Sequence, residues 1–577
     1  MPTFEIADDF LLDGAPFRIL SGAIHYFRIH PDQWRDRIRK ARQLGLNTIE
    51  TYVAWNAHST RRGEFRTDGG VDLGRFLDEV HAEGMRAIVR PGPYICAEWH
   101  NGGLPAWLTA TPGIRLRESD PVYLAAIEEY YAALMPILAP RQIDRGGPII
   151  LVQVENEYGA YGSDAAYLRT LVDLTRAGGI TVPLTTVDQA DDTMLTNGTL
   201  PGVHATASFG SRAVERLQTL RRHQPTGPLM CSEYWVGWFD HWGGPHHVNP
   251  AADSAADLDA LLSTGASVNI YMFIGGTNFG FTSGANYHDA LQPTVTSYDY
   301  DALLSEDGQP TEKYWAFREV LGRYTELPDD VPAPAGPAPA FEVALHRVGP
   351  LVQPGPDRPE HEHPPTMDAL GLPGGLVRYS TVAPASGRLD LGEVRDRAIV
   401  LLDGVRVAVV ERDAPGGCEV REGARIDVLV EDLGRVNYGP RIGEAKGLLG
   451  PVTLDGAAVQ GWSAAAIELD SVPLRSLNGA ATLDAPVLAG GEFELAEPAD
   501  LFLDTTGFGK GMAWVNGANL GRFWQRGPTQ TLYVPGPLLR EGRNELVVLE
   551  LDGATPSTAR FVPEPRLGRP GAKADDS

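Results

Sequence analysis

The chain has 577 residues, and 49 Lys and Arg against 75 Asp and Glu leave a formal net charge of −26. At about 100–200 residues per domain, that length implies several domains, and the acidic field repels phosphate backbones and anionic headgroups, arguing against nucleic acid or a membrane surface as a partner. Three cysteines, Cys96, Cys231 and Cys418, are too few and odd in number for a disulfide framework, so a reducing, cytoplasmic setting is expected.

The first residues, MPTFEIADDFLLDG, have no basic region, and Asp8, Asp9 and Asp13 interrupt the apolar positions, so they do not read as a signal peptide. No run of about 18 apolar residues suggests a spanning helix. Five lysines, Lys40, Lys313, Lys446, Lys510 and Lys573, leave 44 arginines, a bias typical of high-GC bacterial genomes. From Phe17 to about Leu327, short apolar runs alternate with helical stretches, the pattern of βα units around a parallel sheet. Eight strand candidates start at Phe17, Asn47, Arg86, Pro148, Val182, His204, Pro228 and Ser267. Among the helices between them, PDQWRDRIRKARQLG places Trp34, Ile38 and Ala41 on one face, with Pro31 suited to the first turn. Eight such repeats predict a (β/α)₈ TIM barrel over residues 1–328.

Residues 329–340 form a Pro/Ala linker that cannot continue a helix. Beyond it, β-rich runs such as AIVLLDGVRVAVVE, AWVNGANLGRFW and NELVVLELDG are separated by Asp-Gly and Asn-Gly turns. They predict two β-sandwich domains, 341–480 and 481–565, followed by a disordered tail at 566–577.

In a barrel of this kind the active site lies at the C-terminal ends of the strands. The fourth strand ends in Glu155-Asn156-Glu157-Tyr158-Gly159, and the seventh carries Cys231-Ser232-Glu233-Tyr234-Trp235. A carboxylate at each of two strand mouths suits glycosidic cleavage, in which one group protonates the leaving oxygen and the other captures the oxocarbenium-like centre. Strands four and seven lie nearly opposite, so a separation of about 5 Å is feasible, and that spacing predicts retention. Solvated loop charges or structural ion pairs are the alternative, and spacing alone leaves both readings open.

The run GGPIILVQVENEY, Gly146 to Tyr158, resembles the signature of glycoside hydrolase family 35, the β-galactosidases. LSGAIHYFRI, ETYVAWN, RPGPYICAEWHNGGLPAWL, SEYWVGWFDHWG, NIYMFIGGTNFG and TSYDYDALLSEDG resemble further blocks of that family in the same order. The resemblance implies jelly-roll, galactose-binding-like sandwiches and an exo-acting retaining β-galactosidase on galactosyl oligosaccharides, with a preference for β-1,3 linkages seen in some bacterial relatives. It also implies a homodimer, which these residues do not show independently. Glu157 corresponds to the acid/base and Glu233 to the nucleophile. Asn156 matches the contact to the sugar 2-hydroxyl, and Tyr52, Cys96, Ala97, Glu98 and Tyr298 fall in the blocks of galactose contacts. Glu98 would accept from ring hydroxyls, Tyr298 would orient the nucleophile, and the backbone of Cys96 and Ala97 matters more than their side chains.

Trp235, Trp238, Trp242 and Phe273 are candidate apolar platforms for sugar faces, against the alternative that an aromatic beside a barrel strand is core. Tyr438 joins them if the second domain folds over the barrel mouth. No carboxylate or Cys set stands at metal spacing around His25, His246 or His247, and a retaining double displacement needs neither metal nor cofactor. An exo-β-glucosaminidase on the same scaffold and a carbohydrate-binding protein with an inactive barrel are the rival readings. The contact block with Asn156 and Glu98 weighs against the first, and the presence of both Glu157 and Glu233 against the second.

Overall fold

A computed structural model describes residues 2–351, 360–477, 486–553 and 556–571. Eight parallel strands close the barrel in chain order: β1 (Leu20–Ile24), β2 (Thr48–Tyr52), β3 (Arg86–Arg90), β4 (Ile149–Gln153), β5 (Leu184–Gln189), β6 (His204–Phe209), β7 (Met230–Trp235) and β8 (Ser267–Ile274), which pairs back to β1. Each begins within one of the eight runs read from the sequence, the fifth strand ending one residue past its run at Gln189. Helices cover them outside and side chains fill them inside, so runs such as Ile149-Ile150-Leu151-Val152 are buried on both faces. The helix Trp34–Leu44 buries Trp34, Ile38 and Ala41 and stops at Gly45, whose φ of 109° suits a residue without Cβ. Pro31 falls in a preceding 3₁₀ turn. One helix among the described residues, Pro121–Leu138, is long and apolar enough by composition to cross a bilayer. Tyr123, Ile127, Tyr130 and Leu134 on that helix are buried in the barrel's own core.

Two β-sandwiches follow, each with its own apolar core. The first pairs a five-stranded sheet (405–411, 397–402, 425–431, 376–382, 463–466) with a four-stranded one (417–420, 387–390, 453–454, 457–458). The second differs from the sequence-based division: Phe341–Ala344 pairs with Thr558–Val562 and Arg347–Pro350 with Val487–Leu495, so residues 341–350 are edge strands of the C-terminal sandwich. Alternating apolarity defines a strand but not the partner it finds across about 140 residues of chain. The expected boundary at 480/481 lies outside the described residues. The tail also needs correction, since Pro570–Gly571 pairs with His246–His247 on the barrel and Arg566 accepts from Gln530 N–H at 2.8 Å. Residues 572–577 lie outside the described chain.

The sandwiches pack on each other through Ile399, Leu401 and Leu429 against Met512, Trp514 and Leu549. A buried pair, Lys510 Nζ to Glu431 at 2.5 and 2.6 Å, crosses the same seam. From the first sandwich, the segment 432–443 reaches the barrel mouth. His100 and Asp432 approach to 2.9 Å, Tyr94 OH donates to Asn437 O at 2.7 Å, and Val436 bridges Ala285. Gly102 permits this approach, because a Cβ there would sit 2.4 Å from the Tyr94 ring and 3.0 Å from Asn437 O.

Candidate active site

The VENEY segment leaves β4 in an irregular path. Glu155 and Glu157 both occupy the left-handed region, with φ of 59° and 44°, conformations that side chains rarely adopt without support from their surroundings. Arg117 supplies it for Glu155, donating from Nε at 3.0 Å and Nη2 at 2.8 Å, while Tyr167 OH adds a third bond at 2.8 Å. Arg117 Nη2 also donates to Asn156 O at 2.6 Å. Glu155 is therefore a structural anchor that sets the two residues after it.

Glu157 is buried and accepts from Ser208 Oγ of β6 at 2.7 Å. Burial, and then the charge of Glu233, push its carboxyl up to about 7. Glu233 lies within β7, where the register with β6 slips between Cys231 and Glu233 and brings Glu233 opposite Ser208. Such a bulge re-aims a side chain. Three donors hold the Glu233 carboxylate: Tyr52 OH at 2.6 Å and Arg90 Nη2 on Oε1, and Trp235 Nε1 at 3.0 Å on Oε2. The two glutamates thus have different surroundings: Glu157 is desolvated and bonded by one hydroxyl, whereas Glu233 accepts from three donors.

Asn156 Oδ1 accepts from Arg90 Nη2 and from Gln153 Nε2 at 3.4 Å, and lies 2.8 Å from Tyr52 OH, whose single hydrogen it shares with Glu233. Its Nδ2 has a long contact, 3.5 Å, to Ile95 O, which leaves that amide group as the one available to a ligand. Cys96, Ala97 and Glu98 are all left-handed, with φ of 55°, 54° and 45°. Their carbonyls are engaged by Trp99 N–H, Arg28 Nη2 and Gly284 N–H, so it is their N–H groups that can face a sugar. Cys96 Sγ lies 3.7 Å from Glu98 Oε1 and accepts from Asn437 Nδ2 at 3.6 Å. Burial raises both the Cys96 thiol and the Glu98 carboxyl, the latter to about 7. Cys231 is fully buried, as a small hydrophobe would be.

Three expectations are corrected. Tyr298 OH donates to Glu98 Oε2, not to Glu233, whose donors are Tyr52, Arg90 and Trp235. Phe273 is fully buried between strand and helix, 6.5 Å from the Tyr314 ring, and is core. Trp242 packs 6.4 Å from Trp524 of the C-terminal sandwich, at a domain seam and not beside the carboxylates. Trp238 is half-buried with its ring edge-on to Trp235, the residue that donates to Glu233. Tyr438 does reach the site, where burial and then the charge of Glu157 raise its phenol. His246 and His247 both bond Asp240, at 2.7 and 2.9 Å.

Sequence reasoning missed Arg90 and Ser208. The first had a signal, an arginine closing an apolar buried strand, RAIVR, where a charge needs a partner. Ser208, in HATASF, had none, since a serine in a strand is ordinary until register places it.

Comparison with known proteins adds three matches along the chain. Residues 9–324 match the model of glycosyl hydrolases family 35, 364–468 that of a β-galactosidase first all-beta domain, and 486–544 that of a β-galactosidase galactose-binding domain. The chain is 42% identical over 556 residues to a β-galactosidase of Xanthomonas manihotis, covering 92% of this chain and 91% of that one. It is 40% identical over 609 residues to a β-galactosidase of Mus musculus, covering 97% and 94%. A β-galactosidase of Homo sapiens is likewise 40% identical over 618 residues, with 98% and 91% covered.

Proposed function

The chain belongs to glycosyl hydrolase family 35 and is a β-galactosidase, and on that premise we propose that it removes single galactose residues from non-reducing ends with retention of configuration. The observation that carries this reading is the division of labour between two buried glutamates. Glu157 is held ready to give a proton, and the carboxylate of Glu233 is fixed in place by three donors.

In the first displacement Glu233 attacks the anomeric carbon while Glu157 protonates the departing oxygen. In the second, Glu157 takes a proton from water, which hydrolyses the galactosyl ester and frees Glu233. Asn156 donates from Nδ2 to the 2-hydroxyl, since its Oδ1 is already committed to Tyr52 and Arg90. Glu98, fixed by Tyr298, accepts from ring hydroxyls, and the N–H groups of Cys96 and Ala97 complete the sugar cradle. Exo action is supported by segment 432–443, which brings Tyr438 over the barrel mouth and leaves a terminal sugar as the fitting substrate. Trp238 at the rim is the aglycone platform, and a β-1,3-linked second sugar is its partner. The three cysteines are free thiols, which supports a reducing, cytoplasmic setting.

Nitrophenyl β-galactoside, tested beside the glucoside, fucoside and glucosaminide, should be the substrate turned over, with β-galactose as the first anomer seen by proton NMR. Glu233→Gly should be inactive in water and yield α-galactosyl azide when azide is added. The azide product arising instead from a Glu157 variant would exchange the two roles, and no galactoside turnover by folded protein would end the reading.

A further inference from the structure

Inside the barrel, next to the nucleophile, lies a small cavity of about 10 Å³, the space one water occupies. Glu50 of β2, Arg90 of β3, Gln153 of β4, Ser232 of β7 and Asn269 of β8 line it. Four polar atoms there make no hydrogen bond to the protein: Glu50 Oε1, Arg90 Nε, Arg90 Nη1 and Asn269 Oδ1. Their residues are 1%, 1% and 0% exposed for Glu50, Arg90 and Asn269, so bulk solvent does not serve them. Asn269 Nδ2 is committed to Glu50 Oε2 at 3.2 Å and to Ser232 O at 2.9 Å, which fixes the amide with Oδ1 on the other side.

Arg90 is the link to the chemistry. Its Nη2 donates to both Glu233 Oε1 and Asn156 Oδ1, and its guanidinium stacks 3.9 Å from the Tyr52 ring. On its inner edge the protein group that meets it is Glu50, with Nε 3.5 Å from Oε1. We propose that Glu50 is a positioning residue for the nucleophile, acting through Arg90, and that one water bound in this cavity joins the two. The water accepts from Arg90 Nη1 and donates to Glu50 Oε1 and Asn269 Oδ1, three hydrogen bonds being usual for a buried water. Without that inner anchor the guanidinium is a buried charge held on one side, free to draw Nη2 away from Glu233.

Charge follows the same path. Burial pushes the Glu50 carboxyl up to about 7, with Arg90 opposing the rise and Glu233 adding to it. Those two are the charged groups that face Glu50, from β3 and β7. β8 presents Asn269, and beyond β1 the nearby His25 stays neutral because burial and then Arg28 and Arg90 lower its pKa. Ionised Glu50 offsets the charge of Arg90, whereas a neutral side chain leaves that charge to act on Glu233 and, by its lowering effect, on the acid Glu157.

The proposal rests on the roles given above to Glu157 and Glu233. Its test is Glu50→Ala and Glu50→Gln, assayed with nitrophenyl β-galactoside from pH 5 to 9 beside thermal melts, with a crystal structure of the wild type. Glu50→Ala should lose roughly tenfold to a hundredfold in kcat, with KM changed less than about threefold. Glu50→Gln keeps an acceptor for Asn269 and should recover most of kcat, while the alkaline limb of kcat/KM moves down by ~0.5 pH unit. A merely structural role would not move that limb. Wild-type kcat in both variants, or equal losses with an unmoved limb, overturns the positioning role, and a dry cavity in the crystal overturns the water. Should Glu50→Ala not fold, the Gln profile and the crystal structure decide. Failure of the wild type to hydrolyse the galactoside would show before any variant and would count against the earlier reading instead.

Discussion

Replacing Glu157 by Gln keeps the side chain's shape and its acceptor for Ser208 but removes the proton that the proposed mechanism gives to the leaving group. Burial and then Glu233 raise this carboxyl from 4.5 to about 7, and at about 1.4 kcal/mol for each factor of ten the rise corresponds to ~3 kcal/mol. Below pH 4.5 the folded and unfolded chains both carry the proton and nothing is lost. Between 4.5 and about 7 the unfolded chain releases it while the folded chain keeps it, so this group costs wild-type stability as pH rises. Above 7 both are ionised and the cost stays constant.

The Gln variant carries no such cost. It should match the wild type near pH 4.5, exceed it by less than about 1 kcal/mol at pH 5, and exceed it by up to ~3 kcal/mol at pH 7.5. That value is a ceiling, because the two carboxyls share the effect. Thermal unfolding at pH 5 and 7.5 in matched low salt reads the difference, and the barrel's transition should rise by several degrees only at the higher pH. In the same preparation, turnover of nitrophenyl galactoside should fall about 10²–10⁴-fold. A dinitrophenyl galactoside, whose leaving group needs less protonation, should lose much less, and the alkaline limb near pH 7 should vanish. A stability gap of the same size at both pH values would refute the claim that Glu157 is held protonated by its surroundings.

Two further comparisons separate the tyrosines and the rim. Tyr52→Phe removes the one hydroxyl hydrogen that Glu233 shares with Asn156 and should lower kcat by roughly 10–100-fold. Tyr298→Phe removes the donor to Glu98 and a long contact to Tyr271 OH, touching neither oxygen of Glu233, and should act mainly on KM; matching losses in kcat would restore Tyr298 as the nucleophile's support. Trp238→Ala should weaken turnover of a β-1,3-linked galactosyl disaccharide more than that of nitrophenyl galactoside, since only the disaccharide places a sugar on the ring; equal losses would remove the platform.

The barrel was legible because its strands are continuous apolar runs between amphipathic helices, a pattern set by local burial. The two carboxylates were legible because Glu157 closely follows such a run and Glu233 interrupts one, where a charge has no place in a core. What holds them was not, because it depends on register. Strict alternation along β8 would put Phe273 on the same face as Asn269, yet the pairing with β1 is irregular between Ile270 and Ile274, and Phe273 turns into the helix layer. The slip at Cys231/Glu233 in β7 likewise decides that Ser208 meets Glu157 across the site. Tyr298 follows a loop whose path no periodicity encodes.

The domain wiring shows the same limit on a larger scale and bears on what the sandwiches are for. Edge strands 341–350 leave the barrel only to join sheets completed some 140 to 220 residues later, so the second sandwich closes around chain that emerges from the linker. Between them the first sandwich is held from both sides, by the apolar seam behind it and by segment 432–443 in front. Asp432 meets His100 of the barrel with its side chain and Arg522 of the C-terminal sandwich with its carbonyl. One residue therefore joins all three domains beside the segment that carries Asn437 and Tyr438 to the barrel mouth. The barrel carries Glu157 and Glu233, but the wall that the proposed exo action relies on comes from chain more than 270 residues beyond Glu157, and it holds its place because the two sandwiches pack as one support.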